Sequence, residues 1–369
     1  MLAGFTLVLI FILTSDGVAK ADSAESRARE IFLRLTGTPI QSSDTRLATM
    51  TSLIAGGKLQ EAAAIATSDR NFYNVTLRDW ASLMDGREET ILNPLTDYQA
   101  LLIGAVRDGR DFRTALTGSY TYSSKNGLTF PVMESQNSPL NTELTAVSQV
   151  TGSNPKPVGV FTTFGWASAH YNGGTNRRAV EYTFRQFLCT PISVWKDAGL
   201  PDDRIRRDVD RAPSGNAANF QNLCRNCHSG MDALAGAFAH YDFDGASLVY
   251  LGNEVASKYS RNSMTYPEGY QTQDSSFINY STQHHNTSFG WRGAIDGSGL
   301  AEFATMISNS SGFSKCMVTR AFKEVCHRDP GQSDTQTLGQ IINDFEAGGY
   351  NMKSAFEVIA TSPACANNP

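Results

Sequence analysis

The chain has 369 residues, enough for two packed modules. Its net charge is −5, from 31 Lys+Arg against 36 Asp+Glu, and with no basic run along it neither nucleic acid nor an anionic membrane surface is an expected partner. Charged residues are only 18%, while Gly, Asn, Ser and Thr are abundant, so long stretches are expected to be loop.

In chain order, residues 2–13 come first, LAGFTLVLIFIL. This run is too short to span a bilayer, which takes about 20 apolar residues, but it suits the apolar region of a signal peptide. Ala19-Lys20-Ala21 supplies a small-x-small cleavage site. The mature chain is therefore expected to start near Asp22, although no Lys or Arg precedes the apolar run. No cysteine lies near the cleavage site to carry a lipid, and no later stretch is long and apolar enough for a transmembrane segment. Residues 1–21 read as a signal peptide of an exported protein, periplasmic, cell-surface or secreted in a bacterium.

Residues 22–116 read as a helical N-terminal module. Ala28, Ile31, Phe32 and Leu35 share one helical face, and Gly37 and Pro39 end that helix. Ser43 or Asp44 caps the next. Residues 59–67, 77–84 and 97–107 follow as helices. No metal-ligand cluster or phosphate loop appears, and there is no histidine before His170; a helical scaffold is the expected role. Residues 117–158, rich in Ser, Thr, Asn and Gly around Tyr120 and Tyr122, read as a long connection with short strands at most. Residues 159–369 return to helices at 164–171 and 177–188, and again at 300–308, 314–326, 335–346 and 352–361. Residues 246–298 read as loop. Arg177 and Arg178 suit either the propionates of a cofactor or solvent, and the solvated helix N-terminus is the expected reading.

Within this C-terminal module stands Cys224-Arg225-Asn226-Cys227-His228. C-x-x-C-H is the attachment pattern of a c-type haem. Two residues between the cysteines set the thiols one helical turn apart, able to reach the two vinyl groups, and the adjacent histidine offers a ring nitrogen to the iron. Leu234, Ala235, Phe238 and Ala239 form an apolar stripe expected to line one haem face. A zinc site would need a second close pair of ligands, and a thioredoxin-like pair would need a βαβ context; neither is visible. The expected cofactor is one covalent haem c, with His228 as proximal axial ligand. For the distal side Met264 is the first choice, followed by His284 or His285, then Met306 or Met317, or an open position. His170, His240 and His327 read as structural.

Cys189, Cys316, Cys326 and Cys365 remain, an even number expected to form two disulfides. Cys316 and Cys326 fall ten residues apart on one helix, about 15 Å, too far to bond. Of the two connectivities left open, Cys326–Cys365 with Cys189–Cys316 is favoured.

Cys224-x-x-Cys227-His228-x-x-Met231-Asp232, followed by Phe238-x-x-Tyr241-Asp242 and Gly245, resembles the C-terminal cytochrome-type module of planctomycete and related bacterial proteins with DUF1588 and DUF1585 domains. Phe313-x-x-Cys316, Arg328 and Phe345-x-x-Gly348-Gly349-Tyr350 resemble the DUF1585 tail, and Leu33-Arg34-Leu35-Thr36-Gly37-x-Pro39 resembles the start of a related domain. Ala233 stands where that pattern has proline, and Gly236 comes one position late. The resemblance covers about half of the chain and implies haem c and export, not a reaction. The fold expected is mainly α: a helical N-terminal module and a helical, loop-rich, cytochrome c-like C-terminal module. The function expected is monohaem electron transfer with an unidentified redox partner protein. The alternatives are a haem-dependent redox enzyme with an open distal site, or a surface or structural protein with a haem-stabilised core.

Overall fold

The computed structural model describes residues 15–366. The apolar run 2–13 lies outside them, and the first helix, Ser15–Thr36, runs through Ala19-Lys20-Ala21. The fold is mainly helical. Helices Leu59–Thr67 and Asp97–Arg107 have the bounds their periodicity predicts. Asp44 caps Thr45–Ala55, its carboxylate accepting the N–H of Arg46 at 2.9 Å.

The helices before Thr117 and those after Ser311 share one continuous core. Phe356, on helix Met352–Thr361, packs edge-on against Phe72 and Trp80 with ring centres 5.5 and 5.6 Å apart. Phe112 stacks on Phe313, and its N–H donates to the carbonyl of Tyr350 at 3.0 Å. Residues 117–158 carry more order than their composition predicts. Tyr120–Ser124 pairs antiparallel with Leu144–Ser148, Tyr122 opposite Ala146. Arg110 lies over the Tyr120 ring and Arg107 over that of Tyr122, so cations from the preceding helix and its end hold the ribbon down.

Cys189–Cys316 and Cys326–Cys365 are joined, with S–S distances of 2.05 and 2.12 Å. The first ties the end of helix Arg177–Phe187 to the long helix Ser311–Cys326. The second closes a 39-residue interval onto the C-terminal turn. Two such bonds fit an oxidising compartment. Among the described residues no helix is long and apolar enough to cross a membrane.

Glu324, on Ser311–Cys326, faces Asp79 of helix Leu77–Ser82. Burial, with Asp79 adding to it, pushes the Glu324 carboxyl up to about 7 from an ordinary 4.5. A raised acid holds its proton in the folded state while the unfolded chain has already lost it. Stability should therefore fall as pH rises from about 4.5 to 7. Glu324→Gln is expected to flatten this slope and to stabilise the protein at pH 8 by on the order of 1–3 kcal/mol. Urea unfolding at pH 5 and pH 8 measures it; an unchanged slope in the variant contradicts it.

Candidate functional site: the Cys224-x-x-Cys227-His228 turn

A single π-turn, Phe220–Cys224, leads into the motif helix Arg225–Ala235. Phe220 is buried against Ile205 and Val209, with Cys224 packed beside them. This small cluster stands apart from the main core. The adjoining surface is open: Leu223 is 74% exposed, and Cys224, Cys227 and His228 are half-buried. Cys224 and Cys227 are unpaired thiols.

The motif helix is held at several points. Arg225 donates to the carbonyls of Ala198 and Leu200 at 2.7 and 3.0 Å and to Asp202 at 3.0 Å. Trp195 packs against Gly230, where a Cβ would stand 2.4 Å from Cζ3 of the indole. At the far end Gly236 lets the chain turn against the carbonyl of Ser276, which a Cβ would meet at 2.0 Å. The N–H of Ile278 and the hydroxyl of Tyr259 donate to the carbonyls of Ala233 and Ala235 at 3.0 and 2.7 Å.

Beneath the histidine lies a buried ionic cluster. Nδ1 of His228 is 3.3 Å from Oδ1 of Asp232. Asp232 also accepts from Nε of Arg177, from Nη2 of Arg177 at 2.9 Å and from the backbone N–H of Arg206 at 3.0 Å. Arg177 spends its other face on Asp208, with two bonds of 2.7 Å. Arg206 is buried over the ring of Tyr259 and donates to the carbonyl of Thr175 at 2.9 Å. Burial alone would push the Asp232 carboxyl up, but Arg177 and Arg206 together hold it well below the usual carboxylate range. An ionised carboxylate only accepts, so Nδ1 of His228 carries the hydrogen of this contact.

These contacts correct two expectations. Arg177 is not a solvated helix N-terminus, because two acidic side chains enclose it. The stripe Leu234, Ala235, Phe238 and Ala239 does not face a cofactor. All four are fully buried, and Phe238 packs edge-on against Phe161, Tyr171 and Phe303.

Of the distal choices, Met264 is 80% exposed. Its loop adjoins the motif: the N–H of Tyr266 donates to the carbonyl of Arg207 at 2.9 Å, and Arg211 is sandwiched between Tyr266 and Phe220. His284 reaches the other flank, its Nδ1 2.7 Å from Asp197, while His285 is exposed. Met306 and Met317 are core residues, and the sulfur of Met306 accepts from Asn279 at 3.5 Å; neither is free to be a ligand. His170 is buried between Trp166 and Tyr182, and burial, helped by Arg178 and Arg87, keeps it neutral. His240 stands before strand Tyr241–Phe243, its Nδ1 2.9 Å from the carbonyl of Glu254, and His327 ends helix Ser311–Cys326 in a left-handed turn.

The donor set separates the chemistries. Among the described residues no three His, Cys, Asp or Glu side chains converge as a metal ion alone requires. Haem spreads its demands over two vinyl groups and an iron, so its ligands need not meet at one point. Burial pushes the Cys227 thiol up, with Glu181 and Cys224 adding to it against Lys196. Free thiols, an available Nε2 and an uncovered aliphatic edge at Leu223 fit haem on the solvent-facing side of the motif. Asp232 was legible one turn after His228 on the same helix face; Arg177, Asp208 and Arg206 carry no local signal that ties them to it. Comparison of the chain with models of known families, with characterised proteins and with solved structures finds no match.

Removing Arg177 leaves buried Asp232 and half-buried Asp208 with one cation fewer. Arg177→Met is expected to destabilise the fold by about 3–5 kcal/mol, read from urea unfolding at pH 7. A loss below 1 kcal/mol contradicts the cluster's structural role.

Proposed function

We propose that the chain is an exported monohaem c-type cytochrome that carries single electrons. The observation behind this is the posture of His228: Nδ1 is occupied by Asp232, and Nε2 is left for a metal beside two unpaired thiols, while the other four cysteines are bonded. The resemblance to haem-bearing bacterial modules points the same way.

Cys224 and Cys227 would hold the porphyrin through thioethers, and Nε2 of His228 would ligate its iron. When bound, the group supplies a one-electron Fe(III)/Fe(II) couple. The protein's part is to keep this turn rigid. Arg225 clamps its start to residues 198–202, Trp195 supports it at Gly230, and Asp232 sets the ring. Met264 is the proposed distal ligand, since its loop rests on Arg207 and Arg211 next to Phe220. The expected signal peptide and the two disulfides support the export part of this reading. A haem-dependent redox enzyme with an open sixth position is the second reading, favoured by the 80% exposure of Met264.

Produced with a haem c maturation system, the protein is expected to gain the mass of one haem that survives acid–acetone extraction, and Cys224→Ser with Cys227→Ser to abolish it. A haem-free mass sinks the reading. Met264→Ala is expected to lower the reduction potential and open the iron to carbon monoxide. Wild-type protein that already binds carbon monoxide would transfer the argument to the enzyme reading.

A further inference from the structure

The motif helix carries its own acceptor for the histidine it presents. His228 and Asp232 are one turn apart and share a face, with Nδ1 3.3 Å from Oδ1. A backbone carbonyl would orient the ring equally well, but it would bring no full charge. A carboxylate does, and a charged acceptor makes the opposite ring nitrogen a stronger donor.

The charge on Asp232 is not simply cancelled. Arg177 is its nearest cation, yet Arg177 also gives two bonds of 2.7 Å to Asp208. Arg206 stands 4.0 Å from Oδ1 and spends Nη2 on the carbonyl of Thr175. The cluster holds two cations and two anions, and of the two anions only Asp232 touches the histidine.

We infer that Asp232 is a positioning residue that sets the reduction potential: it keeps Nε2 of His228 as the outward lone pair and strengthens it as a donor, so that ferric iron is favoured. This rests on the haem reading above.

The test compares Asp232→Asn with Asp208→Asn. Each removes one negative charge from the same cluster. Asn at 232 keeps an acceptor oxygen for Nδ1–H, and Arg177 keeps Asp208. Asp208→Asn leaves the histidine contact intact. Spectroelectrochemical titration of the haem-loaded proteins is expected to show Asp232→Asn shifted positive by at least tenfold in the ferric/ferrous ratio, about 59 mV for one electron, and Asp208→Asn by less than half of that. No shift at Asp232, or equal shifts in both variants, overturns the inference. Wild-type protein made without the maturation system and labelled with ¹⁵N-histidine gives a second measurement that needs neither variant nor haem. Its His228 is expected to show the Nδ1–H tautomer, and an Nε2–H signature overturns the inference. A chain that takes up no haem would fail the functional reading while leaving this tautomer measurement to be judged on its own.

Discussion

A fully buried carboxylate keeps its charge only beside cations, and Asp232 has Arg177 and Arg206 as its neighbours. Much of the architecture around the motif follows from that requirement. Arg177 stands at the start of its helix and reaches Asp232 on the motif helix and Asp208 on the loop between them. One guanidinium thus ties three segments that are distant in sequence. The loop that carries Arg206 and Asp208 also carries Ile205, Val209 and Arg211, which pack the Phe220 turn and hold the Tyr266 loop. Misplacing this ion cluster would displace His228, Cys224 and the loop of Met264 together.

The same arrangement divides the motif helix into two faces with different tasks. Its inner end, from Ala233 onward, belongs to the main core, where Phe238 meets rings from three other segments. Its outer end holds Cys224, Cys227 and His228, each half-buried. A group attached there would be gripped from one side by a rigid turn.

The helices were legible wherever a periodic apolar face was long enough, as at Leu59–Thr67 and Asp97–Arg107. The paired ribbon at Tyr120–Ser124 and Leu144–Ser148 was not, because its polar composition hides the arginines that cover its tyrosines. Periodicity also marked Leu234, Ala235, Phe238 and Ala239 as one apolar face without saying what covers it, and the cover is protein. At the candidate site, spacing alone marks the cysteines and the histidine for attention. The ion cluster was not, since Arg177, Asp208 and Asp232 are brought together only by the fold. Arg177 and Arg178 look equivalent as a dipeptide; one is enclosed by two acids, while the other donates to the carbonyls of Ala169 and Asn172.

The absorption spectrum of the protein produced with a haem c maturation system tests the central claim most directly. Reduction with dithionite is expected to give the sharp paired visible bands of a low-spin haem held by thioethers, unchanged under carbon monoxide. A protein with no haem absorption after maturation, or with a band set that disappears on acid–acetone treatment, would contradict the account.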